Sequence, residues 1–416
     1  MGFVSVAVAP LTQLMFPPTP LVHITLDIAL QVIRSLKDNN QDLLSRTYVS
    51  QSTYLRFIRG YANEQDYMNA VHKHFREYLQ WRIENRVDEL SATPQPRKEE
   101  FVRTWPHGLH GISKDQHIVY IDRPAKVNPS TFSQMFSFAE YERIHIQTME
   151  LLCDAKDRLA VKLGRHNYKH VVIMDLDGFT MSHFSKKFYE PIKRLVNIDQ
   201  SKYPETLHKM FIVNYPFLFK AVWTIVSPWI DPITKSRIEF CKVKELLQYI
   251  DADQLPSDLG GTRTYTDENP CFVTPFQSGG EYDSIFANLL EGRRQILIEH
   301  GIARQGPNGE LLFRDEKGEF NVPDAPPAQL QAAAAEALSV DAKEDDVDPA
   351  LLAAVHELKI DGGATPVPDT GLASPVILDH GLTATEAATS AGDVSATTNP
   401  NPEAGTDQPT ANATNQ

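Results

Sequence analysis

Asp175 and Asp177 stand two residues apart at the end of the apolar run Val171 to Leu176, with Gly178 behind them. A carboxylate nucleophile with a second carboxylate beside it as acid/base is a set that serves phosphoryl transfer. A buried strand that ends in a turn accounts for the same residues without chemistry. Upstream on that strand, Tyr168 and His170 are two apart and share a face. Lys186, Lys187, Lys193 and Arg194 gather positive charge on one helical stretch, which reads as a solvated face or a place for anionic lipid headgroups.

The residues that follow bear on a different chemistry. Met210 to Val213 is short and apolar between Pro204 and Pro216, as suits a strand buried on both faces of a parallel sheet. Phe217 to Val226 then has only Lys220 and Thr224 as polar members, so the helix it forms is apolar nearly all round. Such a helix is buried or meets lipid. Pro228 kinks or ends it, Ser236 to Val243 reads as a second strand, and Lys244 to Ile250 as a short helix closed by Leu255-Pro256 and Gly260-Gly261.

These pieces, with Tyr203-Pro204-Glu205, Asp231-Pro232-Ile233-Thr234 and the spacing from Leu255-Pro256 to Gly260-Gly261, resemble the CRAL-TRIO lipid-binding family. Leu55-Arg56-Phe57-Ile58-Arg59 and Tyr78-Leu79-Gln80-Trp81-Arg82 are similar to the helical lobe that precedes its lipid domain, so the resemblance runs from Gln51 to Thr262. It implies an α/β fold with a parallel sheet and a phospholipid ligand exchanged with membranes, as in the fungal phosphatidylinositol transfer proteins. It also implies headgroup residues at Glu205, Thr234 and Arg237, pocket residues at Tyr120, His170 and Val172, and a gate helix carrying Phe217, Phe219, Trp223 and Trp229. Tyr61 and Ala62 stand where that family usually carries an Arg-Lys pair, and His170 and Val172 where phosphatidylcholine binders carry hydroxyls, which favours phosphatidylinositol. The alternatives are another hydrophobe, such as a sterol, an isoprenoid or haem held through Tyr168 and His170. A further alternative is a phosphatase of the haloacid-dehalogenase type using Asp175 and Asp177, although Phe179 departs from that motif. No covalent chemistry, metal or cofactor is expected.

The energetics of lipid transfer set a requirement on the fold. Lifting a two-chain phospholipid from a bilayer uncovers on the order of 30 methylenes at ~0.8 kcal/mol each, roughly 25 kcal/mol that only an equally apolar site offsets. A movable wall is therefore needed.

Composition is consistent with a carrier. Residues 321–416 hold fifteen Asp or Glu against two Lys, so nearly all of the net charge of −14 lies there and the preceding residues are close to neutral. A neutral body argues against nucleic acid as a partner. Three widely spaced cysteines predict a reducing, cytoplasmic setting. The resemblance to lipid carriers implies transient membrane association and a monomeric state. Met1 to Val22 is apolar but broken by four prolines, and Val6 stands where a Gly2 myristoylation signal prefers Ser or Thr.

The expected organisation is a helical lobe over 23–90, the lipid-binding domain over 100–265, an extension over 266–322 and a disordered acidic tail over 323–416. Asn63 is expected to cap a helix with Met68, Val71, Phe75 and Leu79 on one face, and Leu90 to Lys98 to be a linker. Strands at His117 to Asp122 and Lys169 to Leu176 alternate with helices at Phe132 to Leu163 and Phe184 to Asp199. A helix over Ile285 to Glu299 and a small hairpin from Gly309 to Val322 follow.

Overall fold

The computed structural model describes residues 24–263 and 281–322. The expectations for Gly2 and for the tail beyond Val322 lie outside these residues. The chain begins with α1 (Leu26–Asp38), whose first turn is fixed by Thr25 accepting from the Ile28 amide, then α2 (Gln41–Leu44), α3 (Gln51–Gly60) and α4 (Tyr67–Glu84). Apolar residues spaced three and four apart give these helices one core face, burying Leu36, Phe57, Ile58, Val71, Phe75 and Leu79 together. Asp66, not Asn63, takes the N-cap position of α4, because the chain is still turning at 63. The linker expected from Leu90 begins as helix: α5 (Val87–Ala92) buries Val87, Leu90 and Ala92, and α6 (Lys98–Thr104) follows.

Five strands make the central sheet in chain order: β1 (His107–Ile112), β2 (Ile118–Asp122), β3 (His170–Asp175), β4 (Leu207–Val213) and β5 (Ile238–Phe240). β1 runs antiparallel to β2, and every other pairing is parallel. Sequence patterning misses β1, since two His and two Gly replace the alternation of a half-buried strand. At Gly111, φ is 40° and the register with β2 shifts, and a Cβ would strike the Gln254 carbonyl. The strand expected over Ser236 to Val243 shrinks to β5, and 3-10 turns over Val243–Gln248 replace the helix expected there.

Crossovers cover the sheet: α7 (Pro129–Met135), α8 (Phe138–Leu163), α9 (Lys186–Lys202), α10 (Phe219–Val226) and α11 (Pro232–Lys235). The 26 residues of α8 start at a reciprocal Ser137–Glu140 capping box and stop at Gly164 in the left-handed region.

Strand alternation gives the sheet two unlike faces. On one, Val119, Ile121, Val171, Ile173, Phe211 and Val213 pack against the 3-10 segment through Leu246, Ile250, Leu255 and Leu259. Gly261 lies so close to the Leu255 backbone that no side chain fits, which is the physical content of the Leu-Pro-x-x-x-Gly-Gly spacing. The other face aligns Tyr120, Val172, Met210 and Ile238 in one row and Asp122, Met174, Ile212 and Phe240 in the next.

α12 (Glu281–Glu299) and the antiparallel strands β6 (Ala303–Gln305), β7 (Leu311–Arg314) and β8 (Phe320–Asn321) complete the described chain, with α12 against α5 and α8. An ion network joins them to the helical lobe. Arg82 pairs with Asp88 at 2.5 Å and Glu150 at 2.8 Å, and Arg293 of α12 closes on Glu150 and, at 3.4 Å, Asp154. Among the described residues no helix is long and apolar enough to cross a membrane.

Candidate functional site

The second sheet face packs against α10 with several of its side chains only partly buried. Beneath it Phe219, Ala221 and Val222 of α10 are buried, while Met174, Met210, Ile238, Phe240 and Trp223 remain partly accessible. Trp223 meets Phe240 edge-on at 5.0 Å, and Trp229 stacks on Tyr189 at 5.7 Å with Lys193 5.3 Å over its ring. The helix opens at Phe219 rather than Phe217, leaving Phe217 63% exposed under Lys220. Of the four residues expected on the gate, then, one is core, two are half-buried and one faces outward.

Tyr120 is partly accessible, yet burial pushes its hydroxyl far above the ordinary phenol value. Tyr141 of α8 behaves in the same way. Between them lies a polar group that sequence reasoning missed. His145 Nε2 meets Asp199 Oδ1 at 2.7 Å, and Asp122 Oδ1 accepts from Trp105 Nε1 at 2.7 Å. Burial opposes charge on His145, but Asp199 outweighs it and raises its pKa. Burial pushes the Asp122 carboxyl up to about 6. His170 and Val172 share this face, and Val172 is in register with Tyr120.

Glu205 and Arg237 come together at the start of β4. Arg237 Nη2 lies 2.8 and 3.1 Å from the two Glu205 oxygens, and Arg237 Nη1 donates to the Leu207 carbonyl at 2.9 Å. Thr234 precedes Arg237 by one turn and receives its amide on the Thr234 carbonyl at 3.0 Å. Lys169 also reaches Glu205, at 2.8 Å, and Arg59 donates to the Tyr168 hydroxyl beside it. Burial opposes the Glu205 charge, but Lys169 and then Arg237 hold its carboxyl below the usual range. Glu205 has φ 58°, a left-handed conformation that costs a non-glycine residue about 1–2 kcal/mol, so the turn holds this carboxylate against strain. Lys169 and Arg59 were not singled out from sequence. Strand alternation sets Lys169 on the face opposite His170, where it reads as an ordinary exposed lysine.

The remaining candidates are committed to neighbours. Asp175, buried, accepts from the Asn214 side chain at 2.9 Å and the Asp177 amide at 3.1 Å, and faces Arg123 at 3.4 Å. Asp177 is exposed and paired with Lys126 at 2.5 Å. Among the described residues no group of three or more His, Cys, Asp or Glu is placed to hold a metal ion. Tyr168 takes the Arg59 bond and His170 faces Lys156 at 3.4 Å, so both residues suggested for haem are engaged.

A mostly parallel sheet with one packed face, one face left to a short apolar helix, and a Gly-Gly closure defines a class, and residues 103–261 match it as a CRAL/TRIO domain. Similar proteins include two from Arabidopsis thaliana. The phosphatidylinositol/phosphatidylcholine transfer protein SFH4 is 35% identical over 198 residues, 46% of this chain and 33% of that protein. The phosphatidylinositol/phosphatidylcholine transfer protein SFH9 is 32% identical over 291 residues, 68% of this chain and 49% of that one. Protein real-time of Anopheles gambiae is 31% identical over 257 residues, 57% of this chain and 36% of its own length. The chain thus spans a third to a half of these relatives. The crystal structure of Sfh5 aligns with a TM-score of 0.46 at 16% identity, covering 67% of this chain and 100% of that one.

Proposed function

We propose that this chain is a carrier that binds a phospholipid between the inner sheet face and α10 and exchanges it with membranes. The observation that carries the reading is the pairing of a partly accessible apolar sheet face with a short apolar helix packed over it. The names of the Arabidopsis relatives support the ligand class. The Glu205, Arg237 and Lys169 cluster supports phosphatidylinositol: Arg237 offers a planar fork to the phosphate, Lys169 a second positive charge, and Glu205 an acceptor for inositol hydroxyls. Lys169 and Arg59 offset the cations absent at Tyr61 and Ala62. Thr234 adds a hydroxyl at the rim.

In the same reading α10 moves as the gate, Phe217 touches the bilayer, and the protein works as a monomer in the cytoplasm with transient membrane contact. Native mass spectrometry of the purified chain, followed by extraction of bound lipid and a vesicle-to-vesicle transfer assay, tests it. Co-purifying phospholipid and time-dependent transfer are expected. A chain that carries no lipid and moves none between vesicles would refute the proposal.

A further inference from the structure

In the turn that carries Glu205, three of four side chains are committed to the interior. Tyr203, Pro204 and Thr206 are buried, and Glu205 between them is partly accessible. The turn is closed from within: Thr206 Oγ1 donates to the Tyr203 carbonyl at 2.8 Å, and the Thr206 carbonyl accepts the His170 amide at 2.9 Å at the head of β3. α3 packs against it at Gly60, where a Cβ would stand 3.0 Å from Pro204 Cβ and 3.7 Å from Glu205 Cγ, so a side chain there would press on the turn.

A buried carboxylate holds the other end. Tyr203 is 1% exposed, and its hydroxyl donates to Glu150 Oε1 of α8 at 3.0 Å. The same oxygen accepts from Arg82 Nη1 of α4 at 2.8 Å, and Oε2 accepts from Arg293 Nη2 of α12. Burial opposes charge on Glu150, but Arg82 and Arg293 outweigh it and hold its carboxyl at about 2, so the tyrosine donates to a full negative charge. Side chains from α4, α12 and the turn thus converge on one carboxylate. Glu205 needs such a hold. Its left-handed backbone, φ 58°, stays strained only while its surroundings fix it, and its carboxylate must remain where Lys169 and Arg237 both reach it. Pro204 stiffens the backbone between the two residues, so a displacement at Tyr203 is passed on to Glu205.

We propose that Glu150 is a positioning residue for the headgroup cluster, acting through the Tyr203 hydroxyl on the Glu205 turn, and that Arg293 brings α12 into that action. It rests on the reading of Glu205 as the acceptor for inositol hydroxyls, and it extends the determinants of selectivity to a helix outside residues 103–261, the stretch matched as the CRAL/TRIO domain. Released from Glu150, the turn gives up part of the inositol contact while the apolar face is unchanged. Selectivity falls, and capacity for lipid does not.

The test reads a ratio of bound lipids. Delipidated full-length protein is loaded from vesicles holding equal amounts of phosphatidylinositol and phosphatidylcholine, and the bound lipids are extracted and quantified by mass spectrometry. Tyr203→Phe removes one hydroxyl and keeps the ring against Trp81. It should lower the ratio of phosphatidylinositol to phosphatidylcholine about twofold to tenfold, the scale of one buried hydrogen bond, with total lipid per protein unchanged. In a Glu205→Ala background the same substitution should change the ratio no further, because its effect is routed through that carboxylate. A residue that only stabilises the fold would lower total loading and leave the ratio alone. Arg293→Ala, assayed well below its thermal midpoint, should also lower the ratio, and Arg293→Lys, which keeps the charge, should lower it less; Arg293→Gln serves where Arg293→Ala does not fold. An unchanged ratio in Tyr203→Phe beside a lowered one in Glu205→Ala would overturn the positioning role and leave the headgroup reading standing, as would an equal fall in both backgrounds. A wild-type ratio in the Arg293 variants would overturn the part given to α12. An unchanged ratio in Glu205→Ala itself would overturn the headgroup reading and this proposal with it.

Discussion

The Lys169 ammonium lies 2.8 Å from Glu205 Oε2, the same oxygen that Arg237 Nη2 reaches at 3.1 Å. One carboxylate therefore serves two cations, and in the proposed reading an incoming phosphate would compete for both. Arg237→Ala should lower phosphatidylinositol affinity about tenfold to a hundredfold, and Lys169→Ala by a similar or smaller factor, since each loses a charge-assisted bond of roughly 1.5–3 kcal/mol. Glu205→Ala should lower phosphatidylinositol binding and spare ligands without inositol. Competitive loading from mixed-lipid vesicles reads all three, and an unchanged lipid profile would remove the inositol assignment.

In the proposed reading the residues around α10 divide between holding the fold and gating the ligand. Phe219 is buried among Phe179 and Phe240, so a charge there should unfold the domain. Trp223 is half-buried against Phe240, and Trp223→Glu should keep the circular dichroism of the wild type while stopping vesicle exchange. Phe217, being exposed, should tolerate Phe217→Glu in stability and lose membrane contact, measured by vesicle co-sedimentation. Wild-type exchange by a folded Trp223→Glu protein would make α10 a core helix only.

Arg293 ties α12 to the rest of the chain. Removing its guanidinium leaves Glu150 and Asp154 buried with less compensation, which costs about 3–5 kcal/mol. Arg293→Ala should lower the thermal midpoint by many degrees, whereas a chain stopped after Val322 should melt and transfer lipid as the full chain does. A loss of more than about half the transfer activity in that truncated chain would contradict the second expectation.

Lys156 gives stability a pH dependence of definite sign. Burial lowers its pKa from 10.5 to about 8, with Arg56 pushing the same way against Cys153 and Asp157. Between those values the unfolded chain binds the proton and the folded chain does not, so stability rises from pH 8 towards 10.5, and below 8 the full penalty applies. Lys156→Met should therefore be more stable than wild type at pH 7, by about 3 kcal/mol in the electrostatic part, and the difference should shrink as pH approaches 10. Denaturant titrations of both proteins across that range check it. A constant difference would mean that folding does not lower the Lys156 pKa.

Asp122 behaves in the opposite sense. Burial raises its carboxyl from 3.8 to about 6, so folded protein binds the proton first and stability rises as pH falls from 6 towards 3.8. Asp122→Asn should remove that rise and keep the bond from Trp105. The wild-type profile persisting in the variant would assign the titration to another group.

Local pattern was enough for much of this protein. Helices with apolar residues three and four apart, the apolar run of β3, the Leu-Pro to Gly-Gly closure and the apolar helix after β4 are each written in adjacent residues, because burial on one side of an element imposes its own period. Glu205 and Arg237 were legible through their resemblance to a known arrangement. What alternation does not encode escaped: β1, whose strand is held by pairing to β2 rather than by its own composition, and α5, where six residues are helical because their neighbours bury them. The charges were the least legible. Lys169 with Glu205, His145 with Asp199, and Arg293 with Glu150 are separated by tens to more than a hundred positions, and a charged residue in sequence looks the same whether it meets water, a partner or nothing. Only the packing of α3, α8, α12 and the strand ends decides which, since the cost of a charge depends on what surrounds it in space.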